Sequence, residues 1–175
     1  IIENISKEKI RDQALIVFLI TTGCMVNELI RVKWRDISFF KNDYYITLSK
    51  NGKSRMIKMH PLCTYLLNEY RGSKAIEDND ELIFTSAKTN SITDRNVRFI
   101  VRKILDKSGL TNNSSKDFRH SFAAISLRLG ANDEDLKHKL GWSKANSLSK
   151  YKYVIDFVGD DFSNKKSTEF YKLED

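Results

Sequence analysis

One short stretch limits the fold more than any other feature of the sequence: an Asn-Gly pair between two β-type segments. In DYYITLSK, residues 43–50, one set of alternate positions holds Tyr44, Ile46 and Leu48 and the other holds Tyr45, Thr47 and Ser49, and RMIKMH follows at residues 55–60. Asn51 and Gly52 accept the positive φ angles that a two-residue hairpin turn requires. The sequence therefore predicts an antiparallel β-hairpin here.

Most of the remaining chain has the apolar spacing and the capping residues of helices. We predict helices over 7–20, 26–32, 61–70, 115–129, 133–140 and 146–154, another from N-cap candidates at 91–94 to about residue 107, and a short strand in ELIFT, residues 81–85. The expected fold class is α+β, mainly α-helical with a small antiparallel β-hairpin sheet. This element order argues against a βαβ nucleotide-binding domain as the first choice. Residues 155–175 are expected to form a tail.

Length and charge restrict the class of partner. The chain has 175 residues, of which 41% are hydrophobic, enough for one domain with a real core. Its net charge of +7 favours a polyanion, either nucleic acid or an anionic membrane surface. No apolar run reaches the roughly 20 residues of a membrane span, and no secretory signal is present, so we expect a cytoplasmic protein. Cys24 and Cys63 are expected to be buried and reduced.

A basic pair at the start of the 115–129 helix is the first candidate for anion binding. Lys116 and Arg119 are three residues apart and share a helical face in the first turn, where backbone N–H groups also favour an anion. The alternative interpretation is a solvated basic patch. His120 does not share that face, and by itself it is typical of a hydrogen-bonded, partly buried histidine.

Two further pairs are candidates for chemistry. Lys50 and Lys53 flank the hairpin turn, where lysines usually serve solubility but can also contact DNA or deliver a proton. Tyr151 and Tyr153 are two residues apart, so on a helix they face different directions. A tyrosine is usually a packing residue, and to act as a nucleophile it needs an electrophile and positive charge nearby.

Several enzyme classes have no support in the sequence. It contains no G-x-x-x-x-G-K-[ST], no G-x-G-x-x-G, no H-E-x-x-H and no Cys/His cluster. Nucleotide hydrolysis, dinucleotide binding and zinc catalysis are therefore not indicated.

Taken in order, four segments resemble the catalytic domain of tyrosine recombinases, the family of phage integrases and chromosome-dimer resolvases. TTGCMVNELIRVKWRDI resembles T-G-x-R-x-x-E-L followed by W-x-D-I, and LSKNGKSRMIKM is similar to the G-K-G-x-K-x-R strand pair. KDFRHSFAAISLRLG matches [HK]-x-x-R-H before an apolar helix and Gly. LGWSKANSLSKYKYV matches L-G-[HW] with a tyrosine nine residues later, which is Tyr151.

The resemblance implies a role for each matching residue. Tyr151 would attack a DNA phosphodiester, leaving a 3′-phosphotyrosine and a free 5′-hydroxyl, without metal or ATP. Arg119 would clamp the non-bridging oxygens, as suits a planar guanidinium. Lys50 would be the general acid for the leaving 5′-oxygen, with Lys53 as the second candidate. The resemblance also places Lys116 and Trp142 around the phosphate and leaves Tyr153 to packing or DNA contact.

One position departs from the family pattern. Met25 stands where the first phosphate-clamping arginine is expected, and methionine has neither charge nor a donor. By analogy with the loss of an oxyanion donor, the change would cost on the order of 10²- to 10³-fold in rate. The chain is then a DNA-binding member that does not cut, a weakly active enzyme in which Arg31 or another cation substitutes, or an altered sequence. Glu28, in the E-L position, is expected to orient basic groups.

The resemblance also implies partners and organisation. Residues 1–154 would form the catalytic domain of a site-specific recombinase or integrase encoded by a bacterium, a phage or another mobile element. Full-length relatives would add an N-terminal DNA-binding domain, which these residues do not include, and would act on double-stranded DNA as tetramers on paired sites. No small-molecule substrate or membrane is implied. The tail, residues 155–175, would dock on a neighbouring subunit or on its own core. A basic helical domain that contacts protein or RNA is the remaining alternative.

Overall fold

A computed structural model describes residues 1–86, 89–142 and Tyr151 of the chain. Within that part, helices surround one small antiparallel sheet, so the predicted fold class is confirmed. The elements in chain order are α1 (Ile2–Ile5), α2 (Ile10–Thr22), α3 (Val26–Leu29), a 3-10 helix (Trp34–Asp36), β1 (Ile37–Phe40), β2 (Asp43–Lys50), β3 (Lys53–Lys58), α4 (Pro61–Lys74), α5 (Asp94–Lys107), α6 (Ser115–Arg128) and α7 (Asp133–Leu140).

The predicted hairpin is present as β2 and β3. Asn51 and Gly52 form the turn with φ angles of 51° and 73°, and Lys50 pairs with Lys53 across it. Because paired residues project from the same face of a sheet, both lysines lie on the face that carries buried Leu48. The turn chemistry thus decides which way the two ammonium groups point.

The sheet has a third strand that the sequence did not predict. Strand β1 pairs antiparallel with β2, with Ile37 opposite Ile46 and Phe40 opposite Asp43. Its last two residues, Phe39 and Phe40, are exposed, so the strand lacks the alternation of buried and exposed positions that makes a strand visible in a sequence.

The predicted strand in ELIFT is wrong. The structure has only a single bridge there, between Leu82 and Lys33. The Ile83 N–H donates to the Val32 carbonyl at 2.9 Å, but the partner segment enters the 3-10 helix immediately afterwards, so no ladder can continue. Ile83 and Phe84 are nevertheless buried, which explains the strand-like apolar pattern.

Helix α2 forms the centre of the core. All side chains from Ala14 to Leu19 are buried, and α2 packs against both α4 and α6. The helix begins three residues later than predicted, after Lys9 in an extended conformation, and Glu8 in the preceding segment binds Lys103 and Lys107 of α5 at 2.5 Å each. Near-complete burial of α2 fixes the position of the loop that follows it, which enters the candidate site.

The other predicted helices are confirmed over most of their lengths. Thr93 caps α5, Ser114 caps α6 and Asn132 caps α7 with side-chain hydrogen bonds, as these residue types favour. The helix predicted over 26–32 is shorter and ends at Leu29. The helix predicted over 146–154 lies outside the described residues apart from Tyr151, which is helical, and the tail at 155–175 lies outside them entirely.

Both cysteines are buried and free, as predicted. Burial raises the pKa of each thiol to about 12, so both remain protonated near neutral pH. In the described part of the chain, no helix is long and apolar enough to cross a membrane.

Candidate active site

Arg119 is held in place by backbone carbonyls from two other parts of the chain. Its Nη1 donates to the carbonyl of Gly23 at 2.7 Å, and its Nη2 donates to the carbonyl of Leu140. The guanidinium also lies over the indole of Trp142, 5.8 Å from the ring centroid. Since a guanidinium has five N–H donors, two such bonds fix its plane and leave donors for an anion.

Electrostatics keep Arg119 a strong cation. Burial, together with nearby Arg55, lowers the pKa of its guanidinium, while the carboxylate of Glu28 opposes that shift. The ordinary pKa of an arginine lies far above neutral pH, so Arg119 stays charged there despite this lowering. A half-buried cation interacts with a phosphate in a lower dielectric than water and so binds it more strongly.

Gly23 is required where α2 ends. Its φ angle of 60° lies in the left-handed region, and its N–H caps the helix by donating to the Leu19 carbonyl at 3.1 Å. A Cβ at this position would lie 2.6 Å from the Phe122 ring of α6. The glycine therefore lets α6 approach closely enough for Arg119 to reach the Gly23 carbonyl.

Tyr151 is buried beside Arg119. Only 5% of its surface is exposed, and its ring stacks on Trp142 with a centroid separation of 5.5 Å and an angle of 16° between the planes. Its hydroxyl shares a hydrogen bond with Nδ1 of His120, in which the donor depends on the imidazole tautomer. Trp142 thus contacts both the phenol ring and the guanidinium of Arg119.

Burial sets the ionisation of the phenol. Desolvation raises the pKa of Tyr151, and the positive charge of Arg119 only partly offsets that shift. The hydroxyl is therefore protonated at neutral pH, and any attack by its oxygen would require the loss of that proton.

The hairpin turn brings a lysine to the loop after α2. The Nζ of Lys50 lies 3.5 Å from the Sδ of Met25, two residues beyond the carbonyl that receives Arg119. Met25, which stands where the family pattern has an arginine, is thus beside the ammonium group of Lys50. Lys53 projects from the same face of the hairpin and is exposed.

A buried ion pair supports the hairpin from behind, and it includes a residue that the sequence analysis missed. Arg55 of β3 donates to both carboxylate oxygens of Glu28, at 2.5 and 3.0 Å, and to the Lys139 carbonyl of α7 at 2.7 Å. Glu28 also accepts from the Met25 N–H at 2.8 Å. A charged residue at an inward-facing strand position, opposite Leu48, was the available signal for Arg55.

These contacts place the Glu28 carboxylate against one basic group, the guanidinium of Arg55. Burial by itself raises the pKa of this carboxyl, but the hydrogen bonds from Arg55 and the Met25 N–H lower it overall. Glu28 is therefore ionised and paired with Arg55, so its charge does not cancel those of Arg119 and Lys50.

Two cations named from the sequence lie at the margin. Lys116 is exposed in the first turn of α6, one turn before Arg119, as predicted. Arg31 is exposed beyond the end of α3, and in the described part of the chain no side-chain contact joins it to the other candidates. Tyr153 lies outside the described residues.

The structure therefore brings together most of the predicted residues. Arg119, Trp142 and Tyr151 are in contact, with His120 against the phenol, and Lys50 contacts Met25, two residues after Gly23. A protonated phenol beside a fixed guanidinium is an arrangement that suits attack on an anionic phosphate ester.

Comparison with known proteins gives a consistent result. The sequence profile of the phage integrase family matches residues 1–156. Tyrosine recombinase XerC of Staphylococcus saprophyticus is 28% identical over 158 residues, which are 89% of this chain and 53% of that protein. The XerC protein of Staphylococcus aureus strain USA300 is 28% identical over 156 residues, 87% of this chain and 52% of its own length. The chain thus spans about half the length of the curated relatives it matches.

Solved structures share the fold. The chain is similar to XerA recombinase with a TM-score of 0.78 and 24% identity, over 94% of this chain and 61% of that one. It is similar to XerH site-specific recombinase bound to its difH substrate, in a pre-cleavage complex, with a TM-score of 0.77 and 23% identity, over 91% and 49% of the two chains. A lambda integrase dimer bound to a core site gives a TM-score of 0.66 and 18% identity, over 86% and 44%.

Proposed function

Because the chain belongs to the phage integrase family, we propose that it is the catalytic part of a site-specific DNA recombinase that uses Tyr151 as its nucleophile. The observation that carries the proposal is the convergence of the Tyr151 phenol and the Arg119 guanidinium on the indole of Trp142. The named relatives are tyrosine recombinases, and the similar structures include recombinases bound to DNA. Residues 1–154 would make up this catalytic unit.

The proposed reaction is a transesterification at phosphorus. The Tyr151 oxygen forms a bond to the phosphorus while the bond to the 5′-oxygen breaks, and the phenol proton passes to a neighbouring acceptor. Arg119 binds the non-bridging oxygens, and Lys50 donates a proton to the leaving 5′-oxygen, with Lys53 as the second candidate. Attack by another strand's 5′-hydroxyl reverses these steps and rejoins the DNA, so the bond energy is retained in the phosphotyrosine.

Lys116 and Trp142 have supporting parts in this scheme. Lys116, exposed one turn before Arg119, adds positive charge where the DNA backbone approaches. Trp142 packs against both the nucleophile and the clamp and excludes water from one side of the phosphate. Neither residue needs to exchange a proton.

A second candidate function follows from one observation. Met25 brings no charge to the position of the expected arginine. If Arg119 and Lys50 alone do not stabilise the negative charge of the phosphorane enough, the chain would bind DNA without cutting it. The domain would then have an architectural or regulatory role on the DNA that it binds. Both functions require salt-dependent binding to duplex DNA, because lysine and arginine contacts release counterions.

Trapping of a covalent intermediate tests the proposal. The protein is incubated with a pool of nicked duplexes of randomised sequence, in which cleavage near the nick releases a short fragment and prevents religation. We expect an adduct that survives denaturation with the wild-type protein and none with Tyr151→Phe, while both bind DNA equally. Tyr65→Phe, at an exposed tyrosine of α4, is the matched control and should leave the adduct unchanged.

Each outcome identifies one function. Salt-dependent binding without any adduct would favour the DNA-binding alternative. An adduct that persists in Tyr151→Phe would refute the assigned nucleophile, and binding that does not respond to salt would contradict both functions.

We further propose that double-stranded DNA is bound by a homo-oligomer, a tetramer on paired sites. Strand exchange between two duplexes requires one nucleophile for each cleaved strand, hence four in total. The lambda integrase in the similar structure is a dimer on a core site. Light scattering of the complex with a DNA selected from the adduct pool tests this, and a mass of one protein per site pair would refute it.

A further inference from the structure

His120 contacts the atom that would react. Its Nδ1 shares a hydrogen bond with the Tyr151 hydroxyl, and the two rings lie 5.5 Å apart at an angle of 35°. From the sequence, His120 is typical of a structural histidine because it does not share the helical face of Arg119. The structure shows why that argument is incomplete: Tyr151 comes from a distant part of the chain and lies beside α6, within reach of both residues.

We propose that His120 is the general base that accepts the phenol proton of Tyr151, an inference that rests on the proposed cleavage reaction. The neutral imidazole would carry its proton on Nε2, so that the Nδ1 lone pair accepts a hydrogen bond from the hydroxyl. As the tyrosine oxygen bonds to phosphorus, the proton moves to Nδ1 and the 5′-oxygen leaves. In the reverse reaction the imidazolium returns this proton to the tyrosine oxygen, so protons balance in both directions.

The need for a base follows from burial. The phenol of Tyr151 is desolvated and protonated at neutral pH, so bulk water has little access to its proton. General bases in such positions typically contribute 10²- to 10⁴-fold to the rate. A base must lie within hydrogen-bonding distance of the proton that it removes, and Nδ1 of His120 meets that requirement.

The other ionisable groups nearby are less suited to this role. The ammonium of Lys116 has donors only and cannot accept a proton. The carboxylate of Glu28 is committed to Arg55 and the Met25 N–H. The imidazole of His120, by contrast, has an acceptor lone pair when neutral and is hydrogen-bonded to the Tyr151 hydroxyl.

Neighbouring charges affect the same proton transfer. Arg119 precedes His120 on α6 and stabilises the tyrosine anion, as its lowering effect on the pKa of Tyr151 indicates. Behind Arg119 lie Glu28 of α3, Arg55 of β3 and the neutral thiol of Cys24. The Glu28–Arg55 pair is internally compensated, and Arg119 is a fixed positive charge whose effect on the phenol is direct.

The pH dependence of cleavage tests the role of His120. In His120→Asn the amide lies near the former Nδ1 position and can hydrogen-bond the phenol, but it cannot take up a proton. We expect cleavage to fall about 10²- to 10⁴-fold with DNA binding unchanged. Wild-type cleavage should decline as the pH falls and the imidazole gains a proton, and the variant, whose amide does not titrate, should lose this decline.

His138→Asn is the matched control, because His138 is an exposed histidine on α7. It should preserve both the rate and the pH profile. A His120→Asn protein that cleaves at the wild-type rate, or one whose rate keeps the wild-type pH profile, would overturn the proposal and leave His120 as a packing residue.

A modified substrate separates the base from the general acid. Replacing the bridging 5′-oxygen by sulfur gives a leaving group that needs no proton. Lys50→Ala should regain most of its cleavage on this substrate, whereas His120→Asn should remain slow because the phenol proton must still be removed. Recovery of His120→Asn on the sulfur substrate would assign His120 to the leaving group and contradict the proposal.

A third measurement does not depend on cleavage. Nitrogen NMR of the imidazole in the wild-type protein should show the Nε2–H tautomer for His120, with Nδ1 unprotonated, and Tyr151→Phe should shift the Nδ1 signal. The Nδ1–H tautomer would refute the proposal even in a protein that forms no adduct. If the tautomer is as expected and no adduct forms, the cleavage reaction fails while the assigned acceptor stands.

Discussion

The two sides of the candidate site are built differently. On the α6–α7 side, Arg119 and Tyr151 are largely buried and held by carbonyls, an indole and an imidazole. On the hairpin side, Lys50 is exposed and is directed mainly by the turn at Asn51 and Gly52. In the proposed reaction, the buried side would be preorganised for phosphate, and the exposed side would have freedom to follow the leaving oxygen.

This difference has a physical consequence. A buried polar group that loses its partner costs stability, whereas a change at an exposed lysine leaves the fold intact. Substitutions on the α6–α7 side should therefore alter both stability and cleavage. Substitution of an exposed lysine at the hairpin tip should alter cleavage without a matching loss of stability. The ion pair between Glu28 and Arg55 connects the two sides. Its loss should therefore have the largest effect on the protein.

Glu28→Ala should have the largest effect. It leaves the Arg55 guanidinium buried without its carboxylate partner, and breaking a buried pair typically costs about 3–5 kcal/mol. We expect that loss in the free energy of unfolding, measured by urea denaturation followed by circular dichroism. Glu69→Ala, at an exposed glutamate of α4, is the control and should change stability little. Equal losses in the two variants would show that the pair does not join the two sides.

The same carboxylate predicts a pH dependence of stability. The pKa of Glu28 is lower in the folded protein than the ordinary value of 4.5, so its contribution is fully present above pH 4.5. That contribution is lost as the pH falls through the lower folded-state pKa. The free energy of unfolding should therefore decrease below about pH 4.5, and Glu28→Gln should decrease less steeply. Parallel pH curves would contradict the assigned shift.

Arg119→Ala should have the next largest effect, on cleavage. Removing a preorganised charge donor at the phosphorane is expected to slow adduct formation about 10²- to 10³-fold. Stability should fall as well, because the Gly23 and Leu140 carbonyls lose their donor. Arg119→Lys keeps the charge without the planar fork and should recover little of the rate. Full recovery by lysine would mean that charge alone, without fixed geometry, suffices on the buried side.

Met25→Arg tests the exposed side. Restoring a guanidinium beside Lys50 should raise adduct formation by up to about 10²-fold, with the free energy of unfolding unchanged. Met25→Leu removes the sulfur without adding charge and serves as the control. If the arginine variant forms adduct no faster than the wild type, Lys50 already supplies the charge at this position, and the methionine is not a defect.

Gly52→Ala should produce the smallest effect. Its φ of 73° is unfavourable for alanine, so we expect a loss of about 1 kcal/mol in stability and a modest fall in cleavage through Lys50. Gly72→Ala is the matched control, since Gly72 lies inside α4 with open space around its Cα. It should instead gain roughly 0.5–1 kcal/mol. A stabilised Gly52→Ala protein would show that the turn does not impose this geometry.

Local sequence determined much of the fold because the responsible interactions are local. An Asn-Gly turn closes between residues adjacent in the chain, and caps such as Thr93 and Asn132 act within three residues. The hairpin and the helices from α4 to α7 could therefore be predicted. Strand β1 and the failed strand at Leu82 could not, because each depends on which distant backbone lies alongside.

The candidate site shows the same division. The order and spacing of the motifs predicted Arg119, Trp142 and Tyr151 as site residues, and the structure shows these three side chains in contact. Only the tertiary structure decided that the Gly23 carbonyl holds Arg119, that the Arg55 guanidinium is buried on Glu28 and that His120 meets the phenol. These contacts join residues 27 to 96 positions apart, and a helical or strand period carries no information over such separations.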